Sequence, residues 1–358
     1  MKNRQWILWV IAAIAVMALV VVARGRIHFD WGVFLQQLKL ADWRDIGIGV
    51  ALIWLGYVIR SVRWALFIKP VRKVSPFSLV GTQVIGFTGV ALLGRPADFV
   101  RPYLVAKRVR VTLSSQIAVY VVERMFDAGA MALIFSLALI TAPHDASLPH
   151  PEVLRKIAFS GLAGTAVLAA LAVMVRIGGK AVALGAEKAF GTLSQKLGKS
   201  VAAKVHAFRD GLDMLASLKD VALAFFYSMS MWAAITAAYL TTTRAFVDSP
   251  PLAGMTLARC MVLMAASMLV SAVQLPVIGW FTQIAAVAAT MQSFFNVRWE
   301  PALGCAAMLL AVTFLSVIPL GLIWSRIEHV SLRKVSEESE HAGEEALSVA
   351  ETTPEQVT

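Results

Sequence analysis

The chain has 358 residues, 58% of them hydrophobic and only 15% charged, and its mean hydropathy is +0.72. A soluble domain carries roughly 25% charged residues, so this composition excludes an ordinary soluble globular protein. The net charge of +11 comes with no nucleic-acid reading module, which argues against a nucleic-acid partner.

Nearly uncharged runs fall at 6–23, 46–68, 77–93, 113–141, 157–175, 221–243, 253–275, 277–297 and 302–325. They are long and continuously apolar, unlike the short alternating strands of a barrel. In lipid the backbone must satisfy its own hydrogen bonds. The reading is an all-α integral membrane protein: a polytopic helical bundle with at least six spanning helices and one or two re-entrant or broken segments.

In chain order, the run at 6–23 follows Lys2 and Arg4 and is itself followed by Arg24 and Arg26. No clean cleavage site intervenes, so it reads as a retained anchor. Segment 24–45 carries aromatics at helical spacing and four basic residues; an interfacial helix on the outer leaflet fits both. Lys and Arg counts orient the remainder. The stretches 69–76, 94–112 and 176–220 hold three, five and eight basic residues, against two in 142–156 and one in 244–252. The first three belong on the cytoplasmic side.

Both flanks of 77–93 then share one side, and a single crossing is forbidden. The segment is expected to dip in and return as a re-entrant hairpin, with its breaks supplied by Gly81, Gly86, Gly89, Gly94 and Pro96 and the charges beside it at a cavity mouth. The runs at 253–275 and 277–297 are joined by QLPVIG. They are either two spans or a second hairpin from the opposite face, an arrangement that would suit an inverted repeat. Segment 176–220 spaces apolar residues as an amphipathic basic helix on anionic inner-leaflet lipid. The transmembrane domain is placed at 1–326. The tail at 327–358, with seven acidic residues and no Lys or Arg after 336, is expected to be disordered.

Three charged groups lie in or against the bilayer. Gly94-Arg95-Pro96-Ala97-Asp98-Phe99-Val100-Arg101 brings Arg95, Asp98 and Arg101. Glu123, Arg124 and Asp127 interrupt the run 113–141, with the two acids at i, i+4 on one helix face. Arg60, Arg63 and Trp64 close the run 46–68. One ionised residue at mid-bilayer costs at least about 2.5–3.5 kcal/mol, so Glu123, Arg124 and Asp127 are expected to form a buried ion network, in which the two acids neutralise and orient arginines from the 94–102 turn or from 46–68. Arginine in excess of the acids can then grip a phosphate. Lipid headgroup contacts are assigned to Arg95, Asp98, Arg101, Arg60 and Arg63. A purely structural network, or snorkelling in the case of Arg60 and Arg63, is the plain alternative. The six histidines show no i, i+4 pair, and Cys260 and Cys305 form no CxxC; no metal or cofactor is expected.

The order GR-x-x-D-x-x-R followed by ER-x-x-D resembles the flippase-like domain family, also called the lysylphosphatidylglycerol synthase transmembrane region, over roughly residues 5–325. Asp98 stands where that family usually has Glu. In the second half Pro276, Gly279 and Gln283 stand in a broken segment usually richer in glycine and ending in Glu. The resemblance implies a protein of the bacterial cytoplasmic membrane, both termini cytoplasmic, that binds and translocates an anionic phospholipid or an isoprenoid-phosphate lipid. No stretch after Arg326 is expected to fold into the soluble aminoacyl-transferase domain of the family's bifunctional members, and with no nucleotide loop, zinc motif or activated nucleophile in the sequence no enzymatic activity is expected. The alternatives are a membrane-embedded transferase acting on a lipid-phosphate and a non-catalytic scaffold. Oligomeric state is left open.

Overall fold

A computed structural model describes residues 30–142, 151–191, 194–195, 217–271, 278–331 and 335. The expected anchor at 6–23, the greater part of 192–216 and most of the acidic tail lie outside the described residues. Every regular element among the described residues is helical. Among the described residues five helices are long and apolar enough to cross a membrane: Trp43–Ile68, Pro76–Leu93, Leu113–Thr141, Lys219–Arg244 and Trp299–Ile327. The protein is a multi-pass helical membrane protein.

Helix α1 (Trp31–Leu40) starts where Asp30 Oδ1 accepts the amides of Gly32 and Val33 at 2.8 and 3.1 Å. It leaves Trp31 and Leu35 exposed and rests Phe34 against Gly304. Helix α2 (Trp43–Ile68) is capped by Asp42, whose carboxylate accepts the Arg44 amide at 2.8 Å. The Asp42 amide donates to Ala245 O at 2.8 Å, which ties the start of α2 to the end of α7 (Leu218–Arg244). At the other end Lys69 Nζ lies 3.8 Å from Asp220. The two helices are therefore antiparallel neighbours, and their ends define two faces. The face at Ile68 and Leu218 carries Lys69, Arg72, Lys73 and Lys219 and is the basic one.

Helix α3 (Pro76–Leu93) runs unbroken through Gly81, Gly86 and Gly89. The expected break within 77–93 is absent, because intrahelical bonds hold those glycines and their neighbours pack into the gaps. The chain turns one step later. Gly94 has φ 80° and ψ −162°, a conformation essentially confined to glycine. A 3₁₀ turn, Arg95–Phe99, leads into α4 (Val100–Val109). Arg72 Nη1 donates to Val109 O at 2.7 Å, so both outer ends of this unit lie together on the basic face. The unit is a helical hairpin spanning 76–109 whose tip is 94–99. Residues 94–112 are thus not a loop at a cavity mouth: 94–99 forms the tip and 100–109 the returning limb.

Helix α5 (Leu113–Thr141) follows, then α6 (Pro151–Gly191). At 41 residues α6 is about 62 Å long, twice a hydrocarbon core of roughly 30 Å. The apolar run 157–175 and the first part of the basic segment are one continuous helix, with no break near 176. After α7, the short α8 (Pro250–Ala253) leads to α9 (Leu257–Ser271) and α10 (Ile278–Phe295). Arg259, near the start of α9, stands 5.8 Å from the ring of Phe295 at the end of α10. Their outer ends therefore meet on the face opposite the basic one. At 15 residues, α9 is about 22 Å long, short for a span. Its far end leads toward the first hairpin, for Trp280 Nε1 donates to Ala91 O at 3.2 Å. Two hairpins thus come from opposite faces and touch near their tips.

The last span, α11 (Trp299–Leu310) and α12 (Ile318–Ile327), contains a π turn at Ala311–Leu315. Pro319 cannot donate to Leu315 and crowds its carbonyl, which loosens the turn before it. Gly321 sits against Thr88 and Gly81 against Trp324, so α12 runs beside α3.

Candidate functional site

On α2, Arg60, Arg63 and Trp64 are spaced i, i+3, i+4 and share one face. On α5 the same rule aligns Gln116, Tyr120, Glu123 and Asp127. These faces meet, and the first hairpin closes on them through Phe87 and Arg101. Arg60 is eight residues inside the end of α2, Arg101 eight inside the end of α4, and Glu123 ten inside the start of α5. At 1.5 Å per residue all three lie about 12–15 Å from the basic face, near half the depth of a hydrocarbon core.

The carboxylates are shared among four arginines. Arg60 Nη1 donates to Glu123 Oε1 at 3.0 Å and lies 3.9 Å from Asp127 Oδ2. Arg63 reaches both acids, Nη2 to Glu123 Oε1 at 2.7 Å and Nη1 to Asp127 Oδ1 at 2.6 Å, and also donates to Ser228 Oγ. Arg101 Nη1 lies 3.3 and 3.4 Å from the two oxygens of Glu123. Arg124 Nη2 is 3.3 Å from Glu123 Oε1 and 3.0 Å from Asp127 Oδ2. Arg63, Arg101 and Glu123 are each only 1% exposed. Four guanidinium groups thus face two carboxylates, a formal excess of two positive charges in a buried place.

Aromatic rings frame the cluster. The Arg101 guanidinium lies 4.5 Å from the Phe87 ring centroid, 5.3 Å from Tyr120 and 5.5 Å from Trp64. Trp64 is fixed in turn by its Nε1–H, which donates to Gln116 Oε1 at 2.9 Å. Such faces attract a cation without consuming its hydrogen-bond donors. Gly86 admits this geometry: a Cβ there would stand 2.1 Å from Arg101 Cγ and 3.2 Å from its Cα. Only glycine lets the two limbs of the hairpin approach so closely.

The structure therefore joins Arg60, Arg63 and Arg101 to Glu123, Arg124 and Asp127 in one cluster. Arg95 stands in the tip turn, and its side chain lies outside the described residues. Asp98 is half-buried in the same turn and joins none of the ion pairs among the described residues. Pro276 lies outside the described residues. Gly279 is buried in the first turn of α10. Gln283 donates to Ser267 Oγ at 2.7 Å, with Tyr239 Oη 3.2 Å from the same oxygen; these are local contacts, remote from the arginines in the bonding pattern. The sequence reading missed Phe87, Tyr120, Gln116 and Ser228. Tyr120 and Gln116 were within reach, being i−3 and i−7 from Glu123 on its helix face. No sequence signal pointed to Ser228, which arrives from α7.

This arrangement defines the class: a helical membrane protein with a buried, positively charged centre built by two spans and a hairpin. The chain belongs to the family described as Lysylphosphatidylglycerol synthase TM region, whose family model matches residues 8–321. Membership is consistent with a role related to membrane lipids. No curated protein and no solved structure matched the chain.

Proposed function

We propose that the protein binds the phosphate of a membrane lipid at the arginine cluster and carries that headgroup across the bilayer. The carrying observation is the charge balance at mid-depth: among the described residues four guanidinium groups, three of them buried and that of Arg124 half-exposed, meet two buried carboxylates. Uncompensated charge is expensive there, and a phosphate accepts arginine bidentately. The headgroup belongs to an anionic phospholipid or an isoprenoid-phosphate lipid, with the acyl or prenyl chains left in the bilayer. The two hairpins, touching at Trp280 and Ala91, supply movable elements on either side of the cluster. The Lys- and Arg-rich face is the cytoplasmic one in a bacterial cell. The role is transport rather than catalysis.

The test is reconstitution in liposomes with a fluorophore-labelled phosphatidylglycerol and a membrane-impermeant quencher. Wild-type protein accelerates exposure of the labelled lipid, and Arg101→Ala lowers that rate at least tenfold. No acceleration for any phosphate-bearing lipid overturns the reading. Chemical conversion of the lipid would point to a membrane-embedded transferase instead.

A further inference from the structure

The four arginines of the cluster are not equivalent. Arg60 and Arg63 are taken up by the acids, with hydrogen bonds of 2.6–3.0 Å to Glu123 and Asp127. Arg101 and Arg124 each keep a donor free. Arg101 contacts Glu123 only at 3.3–3.4 Å, and its buried Nε has no hydrogen-bond partner. Arg124 keeps its side chain 41% exposed; its Nη2 is ion-paired to Asp127 Oδ2 at 3.0 Å, and its Nε has no hydrogen-bond partner. Both guanidinium groups touch the Glu123 carboxylate, and both lie 5.3 Å from the Tyr120 ring centroid. They are adjacent cations with spare donors beside one ring.

The excess of positive charge matches this pair. A phosphodiester headgroup brings one negative charge and leaves one arginine uncompensated at depth. A phosphate monoester carries about −1.5 to −2 near neutral pH and offers three terminal oxygens to two planar donors.

Resting on the headgroup site proposed above, we infer that Arg101 and Arg124 form a two-arginine clamp selective for a lipid ending in a phosphate monoester over a phosphodiester phospholipid. Arg60 and Arg63 position the acids that hold the clamp.

The test uses the full-length protein in phosphatidylcholine nanodiscs at about 0.15 M salt, where surface charge is screened within roughly 8 Å. Phosphatidic acid and phosphatidylglycerol with identical acyl chains are titrated, and binding is read by native mass spectrometry and by the shift in unfolding temperature. Phosphatidic acid is expected to bind at least tenfold tighter, the scale of one further charged hydrogen bond. Arg124→Gln, at a half-exposed side chain, is expected to fold and to abolish that preference, lowering phosphatidic acid binding to the level of phosphatidylglycerol. Equal affinity for both lipids overturns the clamp but leaves an anionic-lipid site standing. Retained preference in Arg124→Gln also overturns it. Binding of neither lipid above phosphatidylcholine overturns the headgroup site itself. Glycerol phosphate, the same group without tails, is the control for a soluble ester; affinity equal to that of phosphatidic acid overturns the assignment to a lipid.

Discussion

Glu123 touches Arg60, Arg63, Arg101 and Arg124, so it is the residue on which the centre depends. Glu123→Gln keeps the shape and removes the charge, leaving four guanidinium groups with one carboxylate. Breaking a buried pair in this way costs about 3–5 kcal/mol. The expected result is a clear drop in thermal unfolding temperature in detergent, partly restored by adding Arg60→Gln. Lys69 gives the contrast. Its side chain is 58% exposed and 3.8 Å from Asp220, and Lys69→Ala should change stability by less than about 0.5 kcal/mol. An unchanged unfolding temperature in Glu123→Gln would show that the acid is not needed to hold the arginines together.

The hairpin of 76–109 depends on two glycines for different reasons. Gly94 turns the chain at φ 80°, and Gly94→Ala introduces about 1–3 kcal/mol of backbone strain. Gly86 has an ordinary helical conformation, but a Cβ there meets Arg101 at 2.1 Å. Gly86→Ala must push α4 outward, with an overpacking cost of about 1–3 kcal/mol. Both substitutions are expected to lower lipid movement in the liposome assay. Gly86→Ala should do so more than its stability loss accounts for, because it displaces Arg101 directly. Equal activity to wild type in Gly86→Ala would show that the tight approach of the two limbs is unimportant. Of the five expected breakers, Gly94 and Pro96 lie at the turn, whereas Gly81, Gly86 and Gly89 lie inside an unbroken helix. There Gly81 and Gly86 serve close packing, against Trp324 and Arg101 respectively.

Across the whole molecule the two hairpins predict a labelling pattern. Val71 and Arg110 flank the first hairpin, and both are exposed. Val247, also exposed, follows α7 on the opposite face. Cysteines introduced singly at these positions, in a background with the buried Cys260 and Cys305 replaced by alanine, should label with an impermeant maleimide from defined sides. Positions 71 and 110 label from one side and 247 from the other. Labelling of 71 and 110 from opposite sides would make Pro76–Leu93 an ordinary crossing and remove the hairpin.

Composition and run lengths alone determined that the chain is a helical membrane protein, because lipid admits few other backbones. Charge parity alone required an even number of crossings between 69–76 and 94–112, although 94–99 proves to be the tip of the hairpin rather than part of its basic flank. The acids at 123 and 127 were legible as a paired site, since a helix period of 3.6 aligns i and i+4 whatever surrounds them. That these acids would pair with arginines of 46–68 or of the 94–102 turn was legible from charge balance, and Arg60, Arg63 and Arg101 do so; which arginine meets which acid was not. Arg60 and Arg63 are some sixty positions from the acids they bind, and only the packing of α2 against α5 brings them together. Ser228 and the contact of Trp280 with Ala91 depend likewise on where separate helices cross. Local periodicity fixes which side chains share a face; which faces meet is decided by the close packing of the whole bundle.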